Sequence, residues 1–274
     1  MLHERTGPDG VRVLASALLA EAGFPHAFST RLGGVSAPPF GPLNLQSQQA
    51  NARARAAGAP HDAEADLVEN LARFLSAAGL SRDAAVADAS QVHGCAVVDA
   101  VAACAARREA DAITSEAGGP AVLVRVADCV PVLLADPRTG SVAAVHAGWR
   151  GVVAGVVPRA VEALRAAGAR PEDLVAAVGP CISARHFEIG PEVADALAHA
   201  DLASCVRTPG VHGPRHHADL VEAVRAQLVR AGLAEARVDA DPPCTFGDAD
   251  RFHSFRRDGA ASGRLAAVVA PRHS

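Results

Sequence analysis

The chain of 274 residues has little or none of several residue types that mark particular classes of protein. It has no Lys and no Tyr, and it contains one Trp and eight Phe. Aromatic platforms for stacking bases are therefore hard to build, and the cations, all of them Arg, form no concentrated basic stripe. We expect no nucleic-acid partner. No stretch approaches the ~20 consecutive apolar residues of a membrane span, so we expect no membrane association.

Cysteine is present, but not in the pattern of a disulfide framework. The six cysteines form no Cys-x-x-Cys pair, and a chain of this size does not need disulfide staples. The apolar stretch from Val13 to Ala20 follows Glu4 and Asp9 and lacks the cationic start of a signal peptide. Both observations predict a protein of the reducing cytoplasm.

The composition is otherwise that of a globular protein, with 50% hydrophobic residues, 20% charged residues and a formal net charge of −4. Short β-branched segments bounded by Asp, Pro or Gly predict buried strands, and apolar residues at helical spacing predict helices. Residues 24–30 form a short apolar segment. The predicted strands are 121–126, 130–135, 142–146, 174–178 and 265–270, and the predicted helices are 62–78, 151–167, 191–199 and 219–232. This interleaving predicts an α+β (mixed α/β) fold of mixed β-sheets layered with helices, in a single domain.

Two segments of the N-terminal half are predicted to be loops. The segment from Arg31 to Pro42 is rich in Gly and Pro, which punctuate regular structure. The segment from Asn51 to Ala63 is an Ala/Arg/Gly tract with little apolar periodicity. We therefore expect the first long helix to begin only at about Asp62.

Two polar residues stand where predicted buried strands meet turns, the position at which α/β proteins commonly place reactive groups. Cys129 lies in the segment Ala-Asp-Cys-Val-Pro, and His146 begins the segment His-Ala-Gly-Trp-Arg-Gly. His146 follows Cys129 by 17 residues, a spacing that allows adjacent strands to bring the thiolate and the imidazole together. Such a pair is either a nucleophile with its base or two ligands of one metal ion, and spacing alone does not choose.

A second imidazole comes from His93, in the segment Gln-Val-His-Gly between two predicted strands. A lone His in a turn is more often a surface residue than a ligand. Together with Cys129 and His146, His93 would complete a His/Cys/His set. Three protein ligands with a fourth position left for water is the coordination of a catalytic zinc, whereas a structural zinc normally has four protein ligands.

A series of short motifs runs from about Phe24 to the C-terminus. The motifs are Phe28-Ser29-Thr30-Arg31-x-Gly33-Gly34, Leu43-Asn44-Leu45, Gln91-x-His93-Gly94, Ala127-Asp128-Cys129-x-Pro131, His146-Ala147-Gly148-Trp149-Arg150-Gly151, Gly179-Pro180-x-Ile182, Phe187-Glu188-Ile189-Gly190, Cys244-Thr245 and Ser254-Phe255-Arg256-Arg257-Asp258-Gly259. In this order the motifs resemble those of the YfiH-like family. Its members were long labelled polyphenol oxidase or laccase-domain proteins and are now regarded as purine nucleoside phosphorylases with adenosine deaminase activity.

The resemblance implies Zn²⁺ held by His93, Cys129 and His146, with copper able to occupy the same site in vitro because it outcompetes zinc at most sites. It implies phosphorolysis of adenosine, inosine and methylthioadenosine to the free base and ribose 1-phosphate or its methylthio analogue, and deamination of adenosine to inosine. Purine nucleosides and phosphate would be the partners. Residues 24–274 would form the metal-dependent catalytic domain after an N-terminal segment, 1–23, and a monomer is compatible with the sequence.

Residue chemistry adds candidates beside the metal. Arg31 is the cation of the Gly-rich loop, and we predict that it binds phosphate as a catalytic residue, a structural salt bridge being the alternative. Gly33 and Gly34 would let the backbone approach the substrate. Asp128 is predicted to be catalytic, either by orienting His146 or by moving a proton, and a helix cap or a supporting role is the alternative.

Two other functions remain open on the sequence. In one, Cys129 is the nucleophile and His146 the base of a thiol hydrolase or amidase acting on a cell-wall precursor. In the other, the three residues form a non-catalytic metal-binding site. His93 discriminates between a thiol enzyme and a zinc site, because a nucleophile with one base has no need of a second imidazole. A true multicopper laccase is not expected, since the twelve His include no His-x-His pair.

The tract from Gln46 to His61 departs from the family pattern. It is longer and richer in Ala and Arg than the usual link after Leu-Asn-Leu, and it lacks the expected His-Val-Gly-Asp. No role is predicted for it.

Overall fold

The computed structural model describes residues 1–106, 108–208 and 215–272. Within these ranges the strands are β1 (Leu2–Thr6), β2 (Arg12–Ser16), β3 (His26–Ser29), β4 (Val86–Ala87), β5 (Val97–Asp99), β6 (Ala112–Ser115), β7 (Ala121–Val126), β8 (Val130–Ala135), β9 (Val142–Ala147), β10 (Val175–Val178), β11 (Glu188–Ile189), β12 (Val206–Arg207), β13 (His216–Ala218), β14 (Val238–Asp239) and β15 (Leu265–Val269). The α-helices are α1 (Ala17–Glu21), α2 (Gln48–Ala56), α3 (Glu64–Ala77), α4 (Ala100–Ala105), α5 (Trp149–Val153), α6 (Val156–Ala166), α7 (Pro191–His199), α8 (Leu220–Arg230) and α9 (Phe255–Asp258). No helix in these ranges is both long enough and apolar enough to cross a membrane.

The strands form two six-stranded sheets and one three-stranded sheet. The first sheet has the order β1-β2-β3-β15-β7-β4, the second has the order β14-β10-β8-β9-β6-β5, and the third has the order β11-β13-β12. Most neighbours are antiparallel, but the pairs β4–β7, β5–β6 and β10–β14 are parallel. The predicted mixed α/β fold with mixed sheets layered by helices is confirmed.

The two large sheets pack face to face, and their central strands are buried on both sides. In β8, Leu133 points into the cluster between the sheets, whereas Val132 and Leu134 point to the opposite face. In β7, Val124 joins the cluster between the sheets and Leu123 lies on the outer face. This arrangement explains why the sequences of the central strands are almost continuously apolar instead of alternating.

Helices cover both outer faces of the pair of sheets. Phe74 and Leu75 of α3 pack on the first sheet, and Val157 and Leu164 of α6 pack on the second. Leu228 of α8 belongs to the same cluster as α6. The order of layers is therefore helix, sheet, sheet, helices, and it leaves the ends of the strands as the place where polar residues gather.

Several predicted boundaries agree with the structure, and two predictions are wrong. The strands predicted at 121–126 and 130–135 and the helix predicted at 191–199 have the observed limits. The single helix predicted at 151–167 is interrupted, because Gly155 adopts φ +78 between α5 and α6. The tract predicted as a loop from Asn51 contains most of α2.

Candidate active site in a cavity at the strand ends

The register between β8 and β9 places Cys129 beside His146. These strands are antiparallel, with Val130 opposite Ala147 and Pro131 opposite His146. Cys129 directly precedes β8, so its side chain lies at the end of the ladder that carries the imidazole. The 17-residue spacing therefore corresponds to two adjacent strands, as predicted.

Asp111 links the loop of His93 to His146. The backbone N–H groups of Val92, His93 and Gly94 donate to its carboxylate at 3.2, 3.0 and 2.7 Å. The same carboxylate lies 2.7 Å from Nδ1 of His146, and Asp111 is fully buried. His93 has φ +61, a left-handed conformation that is uncommon outside glycine. The three N–H bonds to one carboxylate stabilise that turn and aim His93 at the other two residues.

The three candidate ligands converge. One donor atom each from His93, Cys129 and His146 can be chosen so that all lie within 4.8 Å of one another. The Cys129 Sγ is 3.8 Å from Nε2 of His93, and the two imidazole rings meet edge to face at 4.8 Å. A Cβ at Gly148 would stand 2.8 Å from Cδ2 of His93 and 3.1 Å from the Cys129 Sγ, so a side chain at that point of the motif would displace the two candidate ligands.

The electrostatics of the cluster favour a thiolate. Burial raises the pKa of the Cys129 thiol, but the charges and hydrogen bonds of His146 and His93 outweigh burial and lower it to about 6. Burial lowers the pKa of His146, but Cys129 and Asp111 outweigh it and raise it to about 9. For Asp111, burial raises the pKa, and hydrogen bonds from His146 and from the Gly94 N–H lower it overall. The thiolate is the form of cysteine that binds a metal.

Asp128 lies next to Cys129, but its hydrogen-bond partners lie outside the His/Cys/His cluster. Its carboxylate accepts hydrogen bonds from Thr245 Oγ1 at 2.6 Å, Ser254 Oγ at 3.0 Å and the Arg256 N–H at 2.7 Å. These bonds tie the turn before β8 to the start of α9. The expectation that Asp128 orients His146 is wrong, because Asp111 occupies Nδ1 of that ring; a catalytic role for Asp128 stays a prediction.

A cavity of about 610 Å³ opens above the cluster. His93, Cys129 and His146 lie on its wall with the guanidinium-bearing residues Arg53, Arg125 and Arg264. Among the described residues no Asp or Glu lines it. The other lining residues are Gln46, Ser47, Gln49, Ala50, Ala54, Ala59, Pro60, Ala89, Ser90, Gln91, Val126, Ala127, Phe255 and Ala260.

The structure does not bring the predicted phosphate loop into this cavity. The Arg31 guanidinium donates to the carbonyl oxygens of Ala249 at 3.1 Å and Phe40 at 3.5 Å. Gly33 packs against the backbone of Gly10 and Val11, where a side chain would collide. None of Arg31, Gly33 and Gly34 lines the cavity. A phosphate role for this loop therefore gains no support from the geometry, since its donors and its tight backbone serve the fold.

Sequence reasoning did not identify Asp111, Arg125, Arg264 and Arg53. An acidic residue directly before a buried strand was a signal for Asp111, because a carboxylate there must find donors at the strand end. The arginines gave no comparable signal, since each stands in a separate part of the sequence. Only the folded chain brings them to one cavity.

Comparisons with known proteins identify the family of this chain. The sequence profile of the family described as "Multi-copper polyphenol oxidoreductase laccase" matches residues 25–272. The chain is 40% identical to the purine nucleoside phosphorylase of Deinococcus radiodurans over 245 residues, covering 89% of this chain and 88% of that protein. It is 36% identical to the purine nucleoside phosphorylase YfiH of Shigella flexneri over 241 residues, covering 88% and 91%.

The fold is also found in solved structures. A crystal structure from Neisseria meningitidis superposes with a TM-score of 0.75 at 30% identity, covering 99% of this chain and 98% of that one. The motifs, the shared architecture and the extent of the sequence matches lead to one conclusion: the chain belongs to the laccase-like YfiH family.

Proposed function

We propose that this protein is a zinc-dependent purine nucleoside phosphorylase that also deaminates adenosine. It converts adenosine, inosine and methylthioadenosine with phosphate into the free base and ribose 1-phosphate or its methylthio analogue, and it converts adenosine into inosine. The observation that carries the proposal is a His/Cys/His cluster in a cavity lined by three arginines and by no carboxylate of the described residues. The names of the relatives support the same substrate class.

The donor set fits a zinc ion with an open position. His93, Cys129 and His146 offer two nitrogens and one sulfur, and all three line the cavity. Three protein ligands facing a cavity are typical of a catalytic zinc site. A metal bound there would supply a Lewis acid beside the substrate. Copper is the alternative occupant in vitro.

Arg264 is the best placed of the arginines to bind phosphate in the interior of the cavity. Its Nη1 donates to the carbonyl oxygens of Ser262 at 2.9 Å and Gly263 at 3.1 Å, which leaves further N–H groups for a ligand. Burial lowers the pKa of Arg264, and the negative charges of Cys129 and Asp128 act in the opposite direction. A half-buried guanidinium without a carboxylate partner among the described residues is stabilised by an anion, and it matches the bidentate geometry of phosphate.

The cationic wall suits the charges that develop in phosphorolysis. A phosphate oxygen forms a bond to C1′ of the ribose, and the bond from C1′ to N9 breaks with its electron pair passing to the purine. The purine then takes a proton from solvent. Arginines on the cavity wall stabilise both the attacking dianion and the departing base, an electrostatic contribution that is commonly the largest in such sites.

The deaminase activity is the finer part of the proposal. In that reaction water replaces the 6-amino group of adenosine, which leaves as ammonia after gaining a proton. Asp128 remains the proton-handling residue predicted from the sequence, and Arg31 remains a predicted phosphate ligand. Neither residue lines the cavity, so mutation of Asp128 and of Arg31 is needed to test the two roles.

A thiol hydrolase is the second candidate, favoured by the lowered pKa of Cys129 beside His146. The position of His93 argues against it. Its donor atom lies within 4.8 Å of the donor atoms of both other residues, which a nucleophile with one base does not require. The metal site therefore accounts for all three residues, whereas the thiol mechanism uses two.

The test is product analysis of purified, metal-quantified protein. Adenosine and inosine are incubated with and without phosphate, and the products are separated by chromatography. We expect phosphate-dependent release of free base and formation of inosine from adenosine, both lost in Cys129→Ala together with the zinc. Cys104→Ala, at an exposed cysteine of α4, is the matched control and should retain both activities. Intact nucleosides in the presence of a full zinc site would overturn the proposal and turn attention to amide substrates.

A further inference from the structure

Helix α2 forms one side of the candidate active-site cavity. Residues of one face of the helix line the cavity, while Arg55 on another face pairs with Glu64 at 2.8 Å. The lining residues of this segment are Ser47, Gln49, Ala50, Arg53 and Ala54. A helix that is almost free of large apolar residues therefore contributes a wall to the site rather than to the core.

The helix is held in place by specific hydrogen bonds. The Ser47 Oγ caps its N-terminus by accepting from the Ala50 N–H at 3.2 Å. The buried amide of Asn51 donates to the Asp62 carbonyl at 2.9 Å and accepts from the Asp62 N–H at 2.8 Å. Helix α2 is thus fixed by the cap at its N-terminus and by two hydrogen bonds to Asp62, which follows the helix in the chain.

The segment leading into α2 runs between the two other cavity arginines. The Leu45 N–H donates to the carbonyl of Arg264 at 2.9 Å, and the Leu45 carbonyl accepts from Nε of Arg125 at 2.7 Å. Arg53 follows in α2, where it is exposed. Of the three arginines that line the cavity, Arg125 and Arg264 are half-buried and Arg53 is exposed, which places Arg53 at the mouth of the cavity.

The cavity arginines differ in the partners that their guanidinium groups already have within the protein. Arg125 pairs with Asp88 and donates to Leu45, so its charge is largely compensated within the protein. Arg53 pairs with no carboxylate among the described residues. No Asp or Glu of the described residues lines the cavity to offset it. An uncompensated cation at the mouth of a cationic cavity is suited to an anionic group on an incoming ligand.

We propose that Arg53 binds a phosphate group at the mouth of the cavity and that α2 is a wall that selects ligands carrying this group. The inference rests on the proposed function for the class of ligand. The group belongs either to inorganic phosphate, the second substrate, held at the mouth before it reaches Arg264 in the interior, or to the 5′ position of a nucleotide. Both sources present the same oxygens to the guanidinium, which binds them through charge-assisted hydrogen bonds.

The expected effect is moderate and depends on salt. Arg53 is exposed, so its attraction to an anion is screened by ions within roughly 10 Å at 0.1 M salt. We expect Arg53→Ala to weaken phosphate binding about tenfold at low salt, equivalent to the loss of one charged hydrogen bond. The loss should shrink at high salt, and Arg53→Lys should retain part of the affinity because it keeps the charge.

The experiment is calorimetric titration of the metal-loaded protein with inorganic phosphate and, separately, with adenosine 5′-monophosphate. Arg55→Ala is the matched control, because it removes a cation from the same helix outside the cavity. A higher Kd for inorganic phosphate in Arg53→Ala, with no change in Arg55→Ala, supports the proposal that Arg53 binds the second substrate. A change for the nucleotide alone assigns the group to its 5′ position. Unchanged affinity for both ligands, or equal losses in the two variants, overturns the inference.

Steady-state kinetics separates this inference from the proposed function. If the wild-type protein releases purine and Arg53→Ala raises the KM for phosphate but not for inosine, both stand. If the wild-type protein releases no purine while phosphate binding still depends on Arg53, the proposed function fails and the phosphate site stands. If purine is released with the same phosphate KM in both proteins and binding is also unchanged, only the role of Arg53 fails.

Discussion

The inner end and the outer wall of the cavity are built on different principles. At the inner end, His146 lies within a sheet strand, and one buried carboxylate, Asp111, holds both His146 and the loop of His93. The outer wall is a helix of Ala, Gln and Arg held by a serine cap and by one buried amide, Asn51. The candidate metal ligands are thus anchored in the core, whereas Arg53, which we propose to select ligands, stands on a helix that contributes little to the core.

Gly148→Ala should produce the largest loss of bound metal and activity, and it should change the inner end of the cavity alone. The new Cβ would collide with His93 and Cys129, and a displacement of about 1 Å can cost about a hundredfold in activity. We expect loss of most bound metal and activity with a retained circular dichroism spectrum. Gly94→Ala is the control, because its Cβ would meet Asp111 at an ordinary 3.5 Å while the N–H is kept. Equal metal content in the two variants would contradict this account.

Asp111→Asn tests whether one carboxylate organises the ligand set. An amide cannot accept from all four groups that now point to Asp111, so we expect metal affinity to fall about 10–100-fold. Competition with a chromophoric chelator measures the change. Asp128→Asn alters the neighbour of Cys129 but none of these bonds, and it should keep the metal. Normal affinity in Asp111→Asn would show that the strands alone position the ligands.

His253 tests the support beneath the outer wall. Its ring lies 3.0 Å from the Leu43 carbonyl, close to the start of the wall, and burial lowers its pKa from 6.5 to about 3. Between these values the unfolded chain binds more protons, so this stability is full above pH 6.5 and is lost as the pH falls toward 3. The slope is at most about 1.4 kcal/mol per pH unit.

Urea unfolding of His253→Gln and wild type from pH 4.5 to 7 checks this contribution. We expect the variant to lose stability less steeply on acidification, whatever its stability at neutral pH. His61→Gln replaces an exposed histidine and should keep the wild-type slope. Parallel curves for wild type and His253→Gln would show that other groups control acid unfolding.

Ser47→Ala should have the smallest effect and should be confined to the outer wall. Loss of the cap costs about 1 kcal/mol of local helix stability, and α2 makes few core contacts. Hydrogen exchange should accelerate in α2 while metal content stays unchanged. Asp99→Ala removes the corresponding cap of α4 and should leave exchange in α2 as it was. Loss of metal in Ser47→Ala would mean that the two ends of the cavity are not independent.

The sequence predicted the strands of the core better than it predicted the helix of the outer wall. The limits of β7 and β8 were predictable because strands buried on both faces are short apolar runs with clear ends. Helix α2 was missed because periodicity was the criterion, and an exposed helix has little apolar periodicity. Its Ser47 cap and its Ala, Gln and Arg, all good helix formers, were the available signals.

The amino-acid sequence by itself predicted the layered α/β fold and the proximity of Cys129 and His146. Local patterns were sufficient for this pair, because both residues stand at the ends of buried strands that are adjacent in the chain. His93, a histidine in a turn, was assigned to the set through the resemblance of its motif to the YfiH-like family. Only the tertiary structure decided that Asp111, rather than Asp128, orients His146, and that Arg53 and Arg264, instead of Arg31, face the cavity. These partners are far apart in the chain, and their proximity depends on strand pairing and loop packing that no local pattern specifies.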